Sequence, residues 1–318
     1  MPSLLILRLM KIAIIGPGAM GCLFSHYLFR AGHELMLLDY RPERARSIAE
    51  QGVRVEEAGE LLTTRVPVTA DPGAVGGAEL CIVAVKAYAT RDALLRSRPL
   101  IGPETLVLSL QNGLGNVEAI AGVVPGGQVL GGTTAQGANV VGPGQIRHAG
   151  TGETVIGELK GPGSRAAMLA ALFREAGLEA RTTDDLTGLI WSKVIINIGI
   201  NALTALTRLQ NGKLLDYPGT RAVMAAAVKE AAAVAGALDI RLLYPNPAER
   251  VEAVARATAA NVSSMLQDVR ARRRTEVDQI QGAVVEAGRE KGVPAPVNET
   301  LWRLVKTLEA SYAEQLLS

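Results

Sequence analysis

The chain has 318 residues, 48% of them hydrophobic, which is long enough for two globular domains. Its 33 basic and 31 acidic side chains nearly cancel, which argues against nucleic acid as the main partner. Cys22 and Cys81 both fall inside apolar segments, so we expect a reduced, cytoplasmic protein without disulfides. The scarce histidines form no cluster with metal-ligand spacing, so we expect no metal site.

The apolar run at residues 1–9 is interrupted by Arg8 and is too short for a signal peptide or a membrane span. We interpret it as an extension in front of a folded domain that opens near Met10. We therefore expect no association with a membrane.

The next segment predicts a dinucleotide-binding unit. A strand-type run over 11–15 leads into a G-x-G-x-x-G turn, a helix over 22–30 and a second strand over 34–39. Such a turn lets the backbone approach a pyrophosphate closely, and the N-terminus of the helix binds its charge. The residues expected to contact the dinucleotide are Gly16, Pro17, Gly18, Ala19, Met20 and Gly21.

The form of the nucleotide stays open on the residues alone. Asp39 stands at the end of the second strand, where a carboxylate binds a ribose 2′-hydroxyl and favours NAD. Arg41, Arg44 and Arg46 follow at once, and an arginine there can bind the 2′-phosphate of NADP. On these residues NADP(H) and NAD(H) are both possible, with Asp39 and Arg41 as the candidate cofactor contacts.

Two further strands end in polar residues. Lys86 follows the apolar run over 79–85, and Asn112 follows the run over 106–110. The carboxyl ends of parallel strands line the crevice where a ligand binds, so both side chains are candidate contacts. The alternatives are a lysine that reaches solvent from the strand end and an asparagine that only forms a turn. Further along, residues 145–149 and 154–158 are predicted to be short strands that could pair with each other.

After Asp184 and Asp185 the pattern is helical, with helices predicted near 186–206, 219–237, 247–271, 272–289 and 298–315. The fold prediction is therefore an α/β Rossmann-type domain with a mostly parallel sheet over 1–185, followed by an all-α domain over 186–318. The alanine-rich helix near 222–237 could pack in the core or in a homodimer.

The helix over 186–206 carries a polar stripe. Lys193, Asn197 and Asn201 are spaced four residues apart and share one face of an otherwise apolar helix. Buried polar groups of this kind need partners, which are either core hydrogen bonds or a small anionic ligand in a cleft.

A second polar stretch covers residues 261–276. On a continuous helix, Asn261, Ser264, Asp268 and Glu276 would fall on one arc. Glu276 is a site residue, an ordinary surface carboxylate or a salt-bridge partner of Arg272 or Arg273. The arginines over 270–274 are interpreted as a solvated face with local ion pairs rather than as a nucleic-acid site.

These motifs, taken in order, resemble the ketopantoate reductase (2-dehydropantoate 2-reductase) family. The likeness runs from about Met10 to the C-terminus. The segments that carry it are Gly16-Pro-Gly-Ala-Met-Gly, Val85-Lys86, Gln111-Asn112-Gly-Leu-Gly, Trp191-Ser-Lys193 with Asn197 and Asn201, Asn211-Gly-Lys-Leu, and Asn261-Val-Ser-Ser-Met-Leu-Gln-Asp with Arg-x-Thr-Glu276. One departure concerns the end of the second strand, where members often carry an arginine and this chain has Asp39-Tyr40-Arg41.

The resemblance implies reduction of 2-dehydropantoate to pantoate by NADPH, a step of pantothenate and coenzyme A synthesis, and for this reason we favour NADP(H) over NAD(H). It implies Lys193 as general acid and Glu276 near the cofactor ribose and the reacting hydroxyl. It further implies a cofactor contact at Ala138, and contacts to both cofactor and substrate at Asn112. The implied substrate contacts are Asn197, Asn201, Asn211 and Ser264, to which the polar arc adds Asn261.

Two alternatives remain open from the sequence. One is a related reductase with the same machinery and another branched 2-oxo acid as substrate, because the side-chain pocket cannot be identified. The other is a non-catalytic sensor of the nucleotide, although a sensor needs neither Lys193 nor Glu276 as a proton donor.

Overall fold

The computed structural model describes residues 9–315. Of the predicted N-terminal extension, residues 1–8 lie outside this range. The described chain divides into two compact units, one of residues up to 111 with 116–186, the other of 112–115 with the residues from 187 on. The predicted combination of an α/β N-terminal part and a helical C-terminal part is confirmed.

The first unit contains both strands and helices. Its strands are β1 (Lys11–Ile15), β2 (Glu34–Leu38), β3 (Val53–Glu57), β4 (Glu60–Thr64), β5 (Val68–Thr69), β6 (Ala78–Val83), β7 (Ile101–Ser109), β8 (Val129–Thr134), β9 (Gly137–Gly142), β10 (Gln145–Gly150), β11 (Thr154–Glu158) and β12 (Ala180–Thr182). Its helices are α1 (Ala19–Arg30), α2 (Pro42–Gln51), α3 (Thr90–Arg96), α4 (Asn116–Ala121) and α5 (Ser164–Glu175).

The main sheet has eight strands in the order β12-β11-β8-β7-β6-β1-β2-β5. Every neighbouring pair is parallel except β11 and β8. The central strands are apolar runs such as Ile12–Ile15, which are buried throughout, as expected of a parallel sheet covered on both faces. The chain leaves β1 towards β2 on one side and returns as β6 on the other. The carboxyl ends of these strands therefore form the position where such sheets bind ligands.

A second sheet, in the order β4-β3-β10-β9, was not expected from the sequence. The predicted pairing of residues 145–149 with 154–158 is wrong, because β10 pairs with β3 and β9 whereas β11 pairs with β8 and β12. The burial patterns explain the separation. β11 is buried along nearly its whole length and suits the main sheet, whereas β10 alternates between buried Ile146 and exposed Arg147.

The second unit is helical in its described part. Its helices are α6 (Leu186–Thr207), α7 (Pro218–Ala237), α8 (Pro247–Ala257), α9 (Ser264–Arg270), α10 (Ala283–Lys291) and α11 (Pro296–Ala310), with a 3-10 turn at Gly212–Leu215 and a π-helical turn at Asp278–Gly282. The helix predicted over 247–271 is therefore wrong, since α8 ends at Ala257 and α9 begins at Ser264. The helix predicted over 272–289 begins only at the π-helical turn.

Local hydrogen bonds explain the break between α8 and α9. The hydroxyl of Ser263 accepts a bond from the N–H of Leu266 at 3.1 Å, which caps α9 at its N-terminus. The carbonyl of Asn261 accepts a bond from the N–H of Asn211 at 3.1 Å and so leaves the helical pattern. Serine and asparagine offer the backbone such partners and interrupt helices without glycine or proline.

Helix α6 is long and apolar enough to span a membrane by composition, with a mean hydropathy of 1.6. However, 72% of that stretch is buried inside the protein, as expected of a core helix. The alanine-rich helix α7 likewise buries Ala227, Ala231 and Ala235 in the core of the helical unit. This supports core packing as the role of its small residues.

Candidate active site

The glycine turn after β1 is built by close backbone approaches. Gly16 has a φ of +106° and donates its N–H to the carbonyl of Leu38 at 2.9 Å. A Cβ at Gly21 would lie 1.9 Å from the carbonyl oxygen of Gly16. Only glycine at both positions allows α1 to start against the end of β1.

Gly18 differs, because the protein itself leaves room for a side chain there. A Cβ at Gly18 would meet only the carbonyl oxygen of Ala84, at 3.6 Å. Helix α1 begins at Ala19 with no side-chain cap and no acid in its first turn, and Ala19 and Met20 are partly exposed, while Pro17 is buried. The free space and the uncapped N–H groups fit a pyrophosphate bound against the backbone.

At the end of β2, Asp39 is buried and ion-paired with Arg44. One carboxylate oxygen accepts a bond from Arg44 Nη2 at 2.8 Å and one from the N–H of Arg41 at 3.1 Å, while the other accepts from Arg44 Nε. The hydrogen bonds to Asp39 raise the pKa of Arg44 above its ordinary value. Both oxygens expected to bind a ribose hydroxyl are therefore engaged within the protein.

Arg41 itself is exposed, and its guanidinium lies 5.5 Å from the centre of the Tyr40 ring. Lys86 follows β6 at the start of a short 3-10 turn, Ala87–Ala89, and is half-buried. Ala138 lies near the start of β9 and opposite His148 of β10. The candidate cofactor residues of the first unit thus follow β1, β2, β6 and β8.

Asn112 groups with the helical unit, although it follows β7 of the first unit by three residues. Residues 112–115 are held to the helical unit by a hydrogen bond from the N–H of Leu114 to the carbonyl of Gln279 at 2.8 Å. Just before it, the side chain of Gln111 donates to the carbonyl of Val85 at 2.7 Å. Asn112 is therefore at the point where the chain passes from one unit to the other.

Two of the three residues of the polar stripe on α6 are accessible, whereas the third, Asn201, is buried. Lys193 and Asn197 are half-buried together with Ile190, whereas the residues between them are mostly buried. Burial lowers the pKa of Lys193 to about 8, and the nearby carboxylate of Glu276 opposes this shift. A lysine in this state is still mostly protonated at neutral pH but gives up its proton more easily than a solvated lysine.

Glu276 is buried, with 6% of its surface exposed, so its interpretation as a surface carboxylate is wrong. It also lies outside any helix, two residues before the π-helical turn, rather than on one arc with Asn261. Arg273, one of its two expected partners, instead pairs with Asp268 at 3.1 Å. The structure therefore brings Glu276 close enough to Lys193 to influence its charge.

The asparagines of this unit fall into two groups. Asn197 has a buried Nδ2 that lacks a hydrogen-bond partner within the described chain, while Asn201 is 5% exposed. Asn211 donates from Nδ2 to Thr258 at 3.0 Å, and its Oδ1 is without a partner among the described residues. Unsatisfied buried amides are costly, so they indicate positions that a ligand or water completes. Asn261 is exposed and bonds Asn211 through its backbone.

Ser264 is connected to α6 through its neighbour. The hydroxyls of Ser263 and Thr204 lie 2.6 Å apart, and the Thr204 hydroxyl donates to the carbonyl of Asn201 at 2.9 Å. Ser263 is thereby used in the fold, whereas the half-buried Ser264, first residue of α9, remains a candidate contact.

Comparison with known proteins identifies the architecture. The family model described as Ketopantoate reductase PanE/ApbA matches residues 12–161, and the model of its C-terminal part matches residues 185–309. The chain belongs to the ketopantoate reductase family.

Relatives in this family match almost the whole chain. A 2-dehydropantoate 2-reductase from Halobacterium salinarum is 40% identical over 299 residues, which cover 93% of this chain and 98% of the relative. A PanE/ApbA family ketopantoate reductase from Ralstonia eutropha JMP134 has a crystal structure with a TM-score of 0.87 and 36% identity, covering 95% of this chain and 99% of that one. A ternary structure of D-mandelate dehydrogenase with NADH and anilino(oxo)acetate has a TM-score of 0.91 at 30% identity, with the same coverage.

Sequence reasoning missed two polar side chains of the helical unit, Gln279 and Gln281. Gln279, in the π-helical turn, has a buried Oε1 without a partner among the described residues. Gln281 is fully buried and donates to the carbonyl of Ile198 at 3.4 Å, which ties the turn to α6 beside Asn197. A run of Glu276, Asp278, Gln279 and Gln281 at nearly alternate positions, unusual for an amphipathic helix, is the signal that could have found them.

Proposed function

We propose that this protein reduces 2-dehydropantoate to pantoate with NADPH, a reaction of pantothenate and coenzyme A synthesis. Family membership supports the reaction, since the relative from Halobacterium salinarum is a 2-dehydropantoate 2-reductase. The observation that carries the proposal is the buried carboxylate of Glu276 acting on the half-buried, still protonated Lys193. An oxidoreductase that forms an alcohol from a ketone needs such a proton donor.

When NADPH is bound, its dihydronicotinamide would supply the hydride to the ketone carbon. Lys193 stabilises the negative charge that develops on the ketone oxygen and then protonates it. Glu276 keeps the lysine charged before the reaction and accepts a hydrogen bond from the hydroxyl that is formed. The burial of both residues strengthens these interactions, because water competes less for the charges.

The substrate contacts follow from hydrogen-bonding capacity. Asn197 offers a buried Nδ2 without a partner in the described chain, which can donate to the substrate carboxylate. Asn211 offers an Oδ1 that can accept from a substrate hydroxyl. Asn201, Asn112 and Ser264 complete this proposed set. Asn261 contributes mainly by holding the backbone of Asn211.

For the cofactor, we propose contacts from the glycine turn, Arg41, Lys86 and Ala138, to which the family resemblance adds Asn112 and Glu276. NADPH is proposed rather than NADH because the carboxylate of Asp39 is engaged by Arg44. Cys22 and Cys81 are buried free thiols, which supports a reducing, cytoplasmic location.

A second candidate substrate has a structural basis. The likeness to D-mandelate dehydrogenase, at a TM-score of 0.91, favours a reductase of another 2-oxo acid with the same machinery. The test is NADPH consumption by the purified protein with 2-dehydropantoate, 2-oxoisovalerate and phenylglyoxylate, the 2-oxo acid that corresponds to mandelate. We expect the highest kcat/KM with 2-dehydropantoate. A higher value with either other acid reassigns the substrate, and NADPH binding without turnover of any acid supports a nucleotide sensor.

A further inference from the structure

A network of hydrogen-bonded polar side chains runs through the first unit from α1 to the connection between β8 and β9. The Tyr27 hydroxyl donates to Oε1 of Glu57 at 2.6 Å, and the same oxygen lies 2.6 Å from Nδ1 of His148. The other ring nitrogen of His148 lies 2.9 Å from Oε1 of Gln136, whose Nε2 donates to the carbonyl of Gly152 at 2.6 Å. This polar network of Tyr27, Glu57, His148 and Gln136 joins α1, β3, β10 and the residues that lead into β9.

The donors and acceptors of the polar network are fixed at its two ends. The carbonyl of Gly152 can only accept, so it faces Nε2 of Gln136, and Oε1 of Gln136 is the acceptor that faces His148. Burial raises the pKa of Glu57, but the hydrogen bonds from Tyr27 and His148 outweigh burial and hold this pKa below its ordinary value. Glu57 is therefore a carboxylate, and each ring nitrogen of His148 faces an acceptor. Because a neutral imidazole has one N–H, both bonds form when the ring is protonated.

The geometry of β10 directs the His148 ring into this position. Only 2% of the His148 side chain is exposed, against 29% of the Glu57 side chain. His148 pairs with Ala138 of β9, and the register shifts between His148 and Gly150. Such an irregularity in a strand pair re-aims a side chain and is common beside functional sites. A buried network with its partners in place also makes the backbone around it more rigid.

The segment that the polar network holds lies at the ligand-binding edge of the main sheet. Strand β8 ends at Thr134 and runs parallel to β7, as β7 does to β6 and β6 to β1. Residues 135–138 therefore leave the sheet at the same edge as the glycine turn, where a nucleotide binds. The N–H of Ala135 donates to the carbonyl of Glu153 at 2.9 Å and anchors the start of this segment. The side chain of Gln136 carries the anchoring further, to Gly152 and His148.

We infer that His148 is a positioning residue for the cofactor, which by donating to Gln136 holds residues 135–138 so that Ala138 contacts the bound nucleotide. This inference rests on the proposed cofactor contact of Ala138 and deepens it. His148 acts through Gln136, so it affects the affinity for the cofactor and leaves the chemical step unchanged. The side chain of Ala138 is a methyl group, which does not distinguish a ribose hydroxyl from a phosphate. The effect is therefore the same for NADPH and NADH.

Two amide substitutions of His148 separate its two hydrogen bonds. Nδ2 of an asparagine can take the place of the ring Nδ1, and Nε2 of a glutamine can take the place of the ring Nε2. His148→Asn thus keeps a donor to Glu57 and loses the bond to Gln136, whereas His148→Gln does the reverse. His148→Asn should raise the dissociation constants of NADPH and NADH by roughly three- to tenfold, the effect of about one hydrogen bond. Its kcat at saturating nucleotide should stay unchanged, and His148→Gln should bind both nucleotides like the unmodified protein.

Gln136→Met removes the same bond from its other end, together with the bond to Gly152, and should weaken nucleotide binding at least as much as His148→Asn. It also tests the inference if His148→Asn does not fold. Tyr27→Phe is the control within the polar network. It removes a hydrogen bond to Glu57 and should lower the melting temperature without changing either dissociation constant. Fluorescence titration with NADPH and NADH and melting followed by circular dichroism give the two readouts.

A role confined to stability gives a different pattern. In that case His148→Asn and Gln136→Met melt at lower temperature but bind both nucleotides normally, or His148→Gln and Tyr27→Phe weaken binding just as much. Either result overturns the inference, while the proposed reduction stands if the unmodified protein turns over the 2-oxo acid. If the unmodified protein binds neither nucleotide, the proposed function fails and the role of His148 fails with it.

Discussion

Raising the pH should slow the reduction, because Lys193 loses the proton that it has to donate. Burial lowers the pKa of this lysine to about 8, with Glu276 acting in the opposite direction. A general acid works only while it is protonated, so kcat/KM should be level at neutral pH and fall as the pH rises through the pKa. One unit above the pKa, about one molecule in eleven keeps its proton, so the rate should be lower by roughly tenfold.

Substitution of Glu276 gives the sharper form of this prediction. Glu276→Gln removes the influence that raises the pKa of Lys193, so the decline should begin at a lower pH than in the unmodified protein. Lys193→Ala should lower kcat by roughly 10²- to 10⁴-fold and abolish the decline, because no ammonium remains to titrate. Initial rates of NADPH oxidation at saturating NADPH, measured from about pH 6 to 10, give each profile.

Lys229→Ala is the control, since Lys229 is an exposed lysine of α7 in the same unit. Its profile should match that of the unmodified protein, and far-UV circular dichroism should show all variants folded. Two results would refute the reasoning: a rate that stays level above pH 8 in the unmodified protein, or a decline at the same pH in Glu276→Gln.

Three further predictions concern binding and stability. Asn197→Ala and Asn201→Ala should each raise the KM for the keto acid; an unchanged KM in steady-state assays would place that amide in the core. Gly18→Ala should keep the melting temperature and weaken NADPH binding. Gly21→Ala should lower the melting temperature and also weaken NADPH binding, because its Cβ would lie 1.9 Å from a backbone oxygen. Burial lowers the pKa of His26 from 6.5 to about 4, so the unfolded chain is protonated first as the pH falls. Stability should therefore be lost from about pH 6.5 down to about 4, by about 2 kcal/mol after allowance for solvent screening. Urea unfolding should show this loss, and His26→Gln should lack it.

The nucleotide-binding part could be predicted because its determinants are local in the chain. The glycine turn, the helix after it and the apolar strands each need only a few consecutive residues. The boundaries of α6 and the shared face of Lys193, Asn197 and Asn201 followed from periodicity in the same way. The second sheet could not be predicted, since β3 and β10 are distant in the chain and their pairing depends on packing against α1.

The acidic residues show where sequence reasoning ends. Asp39 has the spacing of a ribose ligand, yet its charge is engaged by Arg44, and that pairing is visible only in three dimensions. Glu276 has surface-like neighbours, yet it is buried because the chain leaves the helix after Arg270 and re-enters one at Asp278. Residues 258–263 and 271–277, where the chain leaves the helical pattern, contain no glycine or proline that would have revealed these breaks.

The assignment of residues 112–115 to the helical unit has a consequence for dissecting the molecule. The polypeptide crosses from one body to the other three times, so neither body is a single contiguous fragment. A truncated protein that starts at Thr187 would lack residues 112–115, and with them the N–H of Leu114 that donates to the carbonyl of Gln279. If the two units are expressed from separate genes, or if the helical unit is exchanged between relatives, residues 112–115 must therefore accompany the C-terminal part.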